Sequence, residues 1–259
     1  MKVLGIIPAR LAATRFPNKP MVDILGIPMI GHCLIRSRLS KLLDEVYVAT
    51  CDSEIYNYVE SIGGKAIMTS DKHERASERT AEALMKIEIS LKTKFDVIVM
   101  IQGDEPLVRP IMIEDLLLPF NDNLVDVSNL MIKLSDFDEV QNPNNVKVVF
   151  NSKFKALYMS REAIPSCKKY SFKDVTYYRQ LGLIAFRRDA LLEFEKLNPS
   201  QLEVIESVDM NRLFESNISI QMVLSNLEVD AVDTPEDLER VENKMRNDEL
   251  FLSYKNEYK

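Results

Sequence analysis

Short apolar runs alternate with amphipathic stretches through the first hundred residues of the chain. The apolar runs have the length of buried strands, and the stretches between them place apolar residues at helical spacing. This alternation of strands and helices predicts a parallel sheet with right-handed crossovers. The predicted strands are Lys2–Ile7, Glu45–Thr50, Lys65–Met68 and Phe95–Ile101. The predicted helices run from Gly26-Ile27-Pro28 to about Leu42, from Ser53 to Ile62, and from about Arg79 to Leu91.

Beyond Pro106 the pattern changes, because several strands follow one another without long helices between them. Hairpins added to a parallel beginning predict an α/β fold with a mixed, mainly parallel central sheet flanked by helices. The predicted strands are Val125–Leu134, Val146–Phe150, Lys155–Met159, Gln180–Arg187, Ile218–Leu224 and Val229–Val232. The predicted helices are Asp189–Leu197, Ile205–Phe214 and one that starts at Pro235, behind Thr234 as its N-cap, and continues through Met245.

The length of 259 residues suits one large α/β domain. We expect this domain over residues 1–246, with a smaller lobe around residues 125–225, followed by a loosely held charged tail over residues 247–259. A net charge of -7 argues against a nucleic-acid coat or a protein that binds anionic membranes.

The cysteines and the apolar runs indicate where the protein resides. Cys33, Cys51 and Cys167 form no CxxC pair and are odd in number, which is typical of free thiols in a reducing cytoplasm. The first residues have the pattern of a strand and not of a secretory signal. Since no run approaches about 18 uncharged apolar residues, we expect no membrane span and a cytoplasmic protein.

The most informative strand runs from Val97 to Ile101 and ends in Gln102-Gly103-Asp104-Glu105-Pro106. Gly103 and Pro106 favour a turn at this point. Open α/β sheets bind ligands and metals at the carboxyl ends of their strands, so the acidic pair is a candidate site. The alternative is an ordinary polar turn between a strand and a helix.

A cationic loop follows the first strand. Residues 8–20 contain three prolines and the cations Arg10, Arg15 and Lys19. Arginine binds phosphate through forked hydrogen bonds and lysine as a point charge, so this loop is a candidate phosphate site. It contains no glycine, which excludes a Walker A loop, and the chain contains no G-x-G-x-x-G. A solvated charged loop is the alternative interpretation.

Asp233 ends the last predicted strand, as Asp104 ends the central one. Two carboxylates suit Mg²⁺, which usually binds one or two carboxylates together with substrate phosphates. Cations that hold a triphosphate and a metal that bridges it are the requirements of nucleotidyl transfer.

Seven segments of the chain, in order, resemble the 3-deoxy-manno-octulosonate (Kdo) cytidylyltransferases, also called CMP-Kdo synthetases. The resemblance extends nearly from end to end. The loop at 7–20, the turn at 101–107 and the segment at 232–242 are highly specific as a set. The seven segments are IPARLAATRFPNKP (7–20), YVATCD (47–52), MTSDKH (68–73), IQGDEPL (101–107), NPNNVKVV (142–149), ALYMSR (156–161) and VDTPEDLERVE (232–242).

The resemblance implies a three-layer fold like that of the nucleotide-diphospho-sugar transferases, with a dimerisation and sugar-side lobe around residues 125–225. The implied enzyme is a cytoplasmic homodimer of lipopolysaccharide biosynthesis that joins CTP to Kdo with Mg²⁺. The implied metal ligands are Asp104 and Asp233, and the implied catalytic residues are Arg10, Lys19 and Asp104. The implied nucleotide-binding residues are Pro8, Ala9, Arg10, Arg15, Lys19, Ser77, Arg79 and Gln102. The implied sugar-acid residues are Gln102, His73, Arg161, Gln180, Glu206 and Asp209.

The chain departs from the family pattern mainly on the sugar side. Where the family has H-x-S-G-T-D-R, this chain has Ala76 for the glycine and Glu78 for the aspartate. Gln180 replaces a histidine of the family, and Met210 replaces a glutamine. We therefore hypothesise an acceptor related to Kdo, or another small acid, in a polar pocket of different shape.

Three alternative functions remain. The acceptor of the same chemistry could be an amino-Kdo, another ulosonic acid or a phosphonate. The chain could be a catalytically silent nucleotide-binding homologue, although Lys19, Asp104 and Asp233 are all present. A glycosyltransferase would typically carry a D-x-D motif at a strand end, where we expect none. Outside the candidate site, His32 is expected to be structural and Asp52 to cap the helix that follows it.

Overall fold

The protein is described by a computed structural model, which covers residues 1–12, 16–227 and 230–258. The chain forms two compact units, residues 1–114 with 229–259 and residues 115–228. The strands are β1 (Val3–Ala9), β2 (Asp23–Ile24), β3 (Ile27–Pro28), β4 (Glu45–Thr50), β5 (Ala66–Met68), β6 (Val97–Met100), β7 (Val127–Leu134), β8 (Lys147–Phe150), β9 (Ala156–Ser160), β10 (Tyr177–Arg187) and β11 (Ile220–Leu224). The helices are α1 (Met29–Arg38), α2 (Ser53–Ser61), α3 (Ala76–Leu91), α4 (Pro110–Leu117), α5 (Phe137–Gln141), α6 (Arg188–Lys196), α7 (Gln201–Glu206), α8 (Asn211–Glu215), α9 (Pro235–Met245) and α10 (Glu249–Tyr254).

The first unit contains a parallel sheet in the order β6-β1-β4-β5. Every residue of β1 and of β6 is buried, as their continuous apolar sequences require in a sheet that is covered on both faces. The predicted parallel sheet is thereby confirmed. Because β1 and β6 are neighbours, the loops that leave their carboxyl ends begin side by side.

The second unit contains strands in the order β11-β7-β10, with β8 beside β10 and β9 beside β8. The β11–β7 pair is parallel, whereas β10 is antiparallel to both β7 and β8, and β8 is antiparallel to β9. The predicted α/β class and the mixed sheet are confirmed.

Three predicted elements differ most from the structure. The helix expected from Gly26 to about Leu42 is shorter and covers Met29–Arg38. It starts late because Leu25 and Gly26 have φ values of 56° and 94° and form the turn between β2 and β3. The helix expected over Ile205–Phe214 is two helices, since Ser207 lies in the left-handed region at φ 52°. The strand expected over Val229–Val232 is wrong for its described residues, 230–232, which have no strand structure.

The carboxyl-terminal residues are not a loosely held tail. Helix α10 begins behind Asp248, whose side chain caps it by accepting a hydrogen bond from the backbone N–H of Phe251. Phe251 and Tyr254 are buried in one apolar cluster with Ile24 and Met245. Both aromatic side chains point the same way because they are three residues apart on a helix. The prediction missed this short apolar face because most of the surrounding residues are charged or polar.

The prediction that His32 is structural agrees with its environment. Its ring lies in the interior of the first unit, where Nδ1 is 2.7 Å from the hydroxyl of Tyr254 and Nε2 is 2.8 Å from the carbonyl oxygen of Ile24. Burial lowers its pKa to about 4, so the ring is neutral at physiological pH. Among the described helices, none is both long and apolar enough to cross a lipid bilayer. Cys33, Cys51 and Cys167 are free thiols, as predicted.

Candidate active site

The turn after β6 packs tightly against the end of β1. A Cβ atom at Gly103 would lie 3.0 Å from the carbonyl oxygen of Pro8 and 3.6 Å from Cβ of Ala9. Only glycine fits this contact without displacing backbone. The contact places Asp104 beside the start of the cationic loop.

Backbone contacts bring Asp233 to the same place, although the two aspartates are far apart in sequence. The backbone N–H of Val232 donates a 2.9 Å hydrogen bond to the carbonyl oxygen of Asp104. The carboxylate of Asp237 accepts from the backbone N–H groups of Asp233 and Thr234, each at 3.0 Å. The predicted N-cap Thr234 accepts in turn from the N–H of Asp237, so a capping box fixes the chain at Asp233.

Lys19 joins the two aspartates. Its Nζ lies 2.7 Å from Oδ2 of Asp104 and 3.0 Å from Oδ1 of Asp233. Burial by itself would lower the pKa of Lys19, but the charges and hydrogen bonds of Asp104 and Asp233 outweigh burial and raise the pKa. The ammonium group therefore carries its charge between two carboxylates.

A cavity of about 390 Å³ opens beside this triad. Its wall combines the cationic loop, the turn after β6 and the segment that leads into α3. Ser77 is buried at the start of α3 and is not one of the described residues that line the cavity. Arg15 lies outside the described residues. The predicted site residues that line the cavity are Pro8, Ala9, Arg10, Lys19, His73, Arg79, Gln102, Asp104 and Asp233.

The start of the cationic loop is held by Asp52. The backbone N–H of Leu11 donates a 2.8 Å hydrogen bond to Oδ2 of Asp52. Asp52 is the N-cap residue of α2, as predicted, but its carboxylate makes no capping hydrogen bond and binds Leu11 instead. Nη1 of Arg10 is 3.3 Å from the carbonyl oxygen of His73, and the rest of its side chain is exposed at the cavity rim.

Arg79 is a buried cation in the cavity wall and is only 3% exposed. Its Nη1 donates to Oγ1 of Thr69 at 2.5 Å and to the carbonyl oxygen of Ser70 at 3.1 Å. Among the described residues, Nη2 of Arg79 has no hydrogen-bond partner. A buried donor without a partner is costly unless a ligand accepts from it.

His73 is held by Glu82 of α3, whose Oε2 lies 2.5 Å from its Nε2. Glu82 also accepts from the backbone N–H of Ser70 at 2.8 Å and pairs with Lys86 at 2.7 Å. Burial alone would raise the pKa of Glu82, but the bonds from Lys86, Ser70 and His73 lower it to about 2. The Glu82 carboxylate therefore fixes the segment that carries His73 to α3.

We expect Glu82→Gln to lower the free energy of unfolding at neutral pH by about 1–2 kcal/mol. The effect is limited because the side chain is partly exposed and water screens its charge. A depressed pKa stabilises the folded state above the ordinary value of 4.5, and that stabilisation is lost as pH falls towards about 2. Urea titrations at several pH values should show that the free energies of unfolding of the wild type and the variant become more similar as the pH falls from 4.5 towards about 2. Glu193→Gln, which changes an exposed carboxylate of α6, is the control. If the difference in free energy of unfolding between the wild type and Glu82→Gln did not change with pH, ionised Glu82 would not be the source of the stabilisation.

The other predicted sugar-acid residues belong to the second unit. Glu206 accepts from the hydroxyls of Tyr158 and Ser160, each at 2.8 Å, and from the backbone N–H of Arg161 at 2.9 Å. Burial opposes the ionisation of Glu206, but these hydrogen bonds and the charge of Arg161 outweigh it and lower the pKa. The guanidinium of Arg161 donates to the backbone carbonyl oxygens of Glu206, Pro143 and Ser207.

Gln180 and Asp209 lie on different elements of the second unit. Gln180 is part of β10, and its backbone N–H bonds to the carbonyl oxygen of Val146 at 2.9 Å. Within the described part of the chain, its buried Oε1 has no hydrogen-bond partner. Asp209 lies in the turn between α7 and α8, where its carbonyl oxygen accepts from the N–H of Arg212 at 3.0 Å.

Comparisons with known proteins identify the family. Residues 4–220 match the Cytidylyltransferase family. The 3-deoxy-manno-octulosonate cytidylyltransferase of Fusobacterium nucleatum is 39% identical over 253 residues, which cover 97% of this chain and 100% of that protein. The chain belongs to the 3-deoxy-manno-octulosonate cytidylyltransferase family. A second member, from Parabacteroides distasonis, is 40% identical over 248 residues and covers 93% of this chain and 96% of that protein.

A solved structure agrees with this family assignment. The CMP:2-keto-3-deoxy-manno-octonic acid synthetase complexed with CTP has a TM-score of 0.86 to this chain at 35% identity. The similarity covers 95% of this chain and 99% of that one. The predicted nucleotidyltransferase-like α/β fold of the 3-deoxy-manno-octulosonate cytidylyltransferases is confirmed.

Two features of the chain were missed or misinterpreted from its sequence. A D-x-D motif does occur near a strand end, at Asp136-Phe137-Asp138, shortly after β7. Its first carboxylate accepts from the backbone N–H of Asp138 at 3.0 Å and caps α5, so capping explains the motif. The supporting role of Asp237 was missed, although its position three residues after Thr234 is the spacing of a capping box.

Proposed function

We propose that this enzyme transfers the cytidylyl group of CTP to Kdo, giving CMP-Kdo and pyrophosphate for lipopolysaccharide biosynthesis. The observation that carries the proposal is the convergence of Asp104, Asp233 and Lys19 at the edge of a cavity whose rim bears Arg10. The relatives named above are Kdo cytidylyltransferases, and the similar solved structure is a complex with CTP.

Asp104 and Asp233 suit a divalent cation in this role. Their side chains are 29% and 40% exposed, and both reach one cationic group, so their oxygens converge. Two carboxylates with substrate phosphates form the usual environment of Mg²⁺. When bound, the metal would supply positive charge to the triphosphate oxygens during the transfer.

Arg10 and Lys19 would bind the triphosphate from the loop after β1. Arg15, outside the described residues, is proposed for the same role. In the reaction, the anomeric hydroxyl oxygen of the sugar forms a bond to the α-phosphorus, and the bond to the bridging oxygen of pyrophosphate breaks. That electron pair leaves with pyrophosphate, and the hydroxyl proton is released. Cations that are fixed before the reaction stabilise this leaving group without reorganisation.

The nucleoside would contact the first unit. Pro8 and Ala9 offer backbone groups at the end of β1, and Gln102 offers an amide at the end of β6. Nη2 of Arg79 is a buried donor suited to a carbonyl oxygen of the base. The resemblance to the family assigns Ser77 and Arg79 to the reading of cytidine, and of these two Arg79 lines the cavity.

We propose Arg161, Gln180, Glu206 and Asp209 of the second unit for the sugar acid, and His73 and Gln102 of the first unit as further candidates. The unpartnered Oε1 of Gln180 favours a second candidate acceptor, because this amide can accept a hydrogen bond from a hydroxyl or an amine but cannot become cationic. Under this alternative the acceptor is a relative of Kdo, such as an amino-Kdo, another ulosonic acid or a phosphonate.

We also propose a homodimer in the cytoplasm. The second unit exposes several large apolar side chains, of which Leu157, Val204 and Ile205 are 59%, 65% and 68% exposed. Contacts between two copies of the chain would remove such side chains from water.

The proposal predicts pyrophosphate release only when CTP, Mg²⁺ and a suitable sugar acid are present together. The assay compares CTP, UTP, ATP and GTP, each with Kdo, an amino-Kdo, other ulosonic acids and a phosphonate, and identifies the nucleotide product by mass. CTP with Kdo should give the highest kcat/KM. A clearly higher value with another acid would establish the alternative acceptor, and absence of release from CTP with every acid would contradict the function.

A further inference from the structure

The ammonium group of Lys19 lies between the two carboxylates proposed as ligands of a divalent cation. It contacts Asp104 at 2.7 Å and Asp233 at 3.0 Å, the two side chains that the proposed function assigns to the metal. The Lys19 side chain is only 14% exposed, so little water intervenes. A metal ion that binds these carboxylates would lie close to the ammonium group, and the two positive charges would repel each other.

We propose that Lys19 is a counter-cation that neutralises Asp104 and Asp233 and moves away from them when the nucleotide and the metal bind together. This inference rests on the proposed function in that the nucleotide is a triphosphate. Between the two aspartates, Lys19 neutralises carboxylates that would otherwise repel each other. With the metal and the nucleotide bound, Lys19 would give up these contacts to the metal and would bind phosphate oxygens in the cavity that it lines.

The local structure allows the ammonium group to move while the backbone stays fixed. Lys19 begins a short 3-10 turn, Lys19–Met21, in which the N–H of Met21 bonds to the carbonyl oxygen of Asn18 at 2.8 Å. Pro20 in the same turn is buried. The four-carbon stem of lysine is flexible, and Lys19 lines the cavity as well as contacting the aspartates. A rotation of the side chain would therefore move Nζ from the carboxylates towards a bound phosphate.

The exchange has a thermodynamic consequence. A metal ion that arrives without nucleotide must displace an ammonium group that then loses both of its partners. A metal ion that arrives with a triphosphate displaces the same group towards new anionic partners. Metal and nucleotide should therefore bind with positive coupling, and the free enzyme should bind the metal weakly.

The test measures Mn²⁺ binding by electron paramagnetic resonance in the absence of nucleotide. Lys19→Gln should bind Mn²⁺ about tenfold more tightly than the wild type, within the usual range of such couplings. Lys19→Arg, which keeps the charge, should bind Mn²⁺ as weakly as the wild type. Lys65→Gln is the matched control, because Lys65 pairs with Glu45 at 2.6 Å on the same unit and is 52% exposed; its Mn²⁺ affinity should not change.

Thermal unfolding provides a second readout that also shows whether each variant is folded. Saturating Mn²⁺ should raise the Tm of Lys19→Gln more than that of the wild type, since tighter binding stabilises the folded state further. Lys19→Ala repeats both measurements with a different side chain. Equal or weaker Mn²⁺ binding in the neutral variants would overturn the inference. Failure of the proposed function is a separate result, namely no pyrophosphate release from CTP by the wild type, and it leaves the Mn²⁺ comparison unaffected.

Discussion

Replacing Asp104 by asparagine should lower kcat/KM for pyrophosphate release by a factor on the order of 10³ or more, which corresponds to several kcal/mol of transition-state stabilisation. The substitution preserves the shape of the side chain but removes a negative charge beside Lys19 and Asp233. The proposed Mg²⁺ would lose one of its two carboxylate ligands. Steady-state kinetics with CTP, Kdo and varied Mg²⁺ measure the effect, and higher Mg²⁺ should restore part of the activity.

Asp233→Asn should have an effect of similar size, and the double variant should lose much less than the product of the two single effects, because the residues act as one unit. Glu236→Gln is the matched control, since it changes an exposed carboxylate three residues beyond Asp233. Activity of Asp104→Asn within about threefold of the wild type would exclude this residue as a ligand of a catalytic metal.

The architecture of the first unit was predictable because its strands are continuous apolar runs. Glu45–Thr50 was predicted with its observed limits, and β1 and β6 differ from their predictions only at the ends. The errors arose where a single backbone conformation decides the structure. A left-handed residue at Ser207 divides a pattern that is helical in its spacing, and periodicity contains no signal for that conformation.

The triad was predictable only in part. The position of Asp104 at a strand end and the resemblance to a family singled out Lys19, Asp104 and Asp233. The contacts that bring them together are backbone contacts, such as the bond from Val232 to the carbonyl of Asp104 and the close approach at Gly103. Such contacts depend on the folded path of the chain and not on side-chain identity, so residue patterns do not reveal them.

The contribution of the carboxyl-terminal helix to stability depends on which of its residues are buried, and not on its charged composition. Asp248 pairs with Arg36, which is fully buried, at 2.9 Å, and with Arg109 at 3.1 Å. Nε of Arg36 also donates to the hydroxyl of Tyr254 at 3.0 Å. A buried guanidinium is strongly destabilising once its carboxylate is removed.

We therefore expect Asp248→Ala to lower the free energy of unfolding by about 3–5 kcal/mol, because it leaves the charge of Arg36 without its carboxylate and also removes the cap of α10. Asp230→Ala is the control, since Asp230 pairs with Arg240 and Lys244, which are 47% and 42% exposed. Loss of these exposed pairs should cost at most about 1 kcal/mol. Urea denaturation of both variants measures the difference. Equal losses of stability in the two variants would mean that α10 contributes no more than a surface segment. A large loss of stability confined to Asp248→Ala would establish α10 as part of the core that also contains Ile24 and Met245.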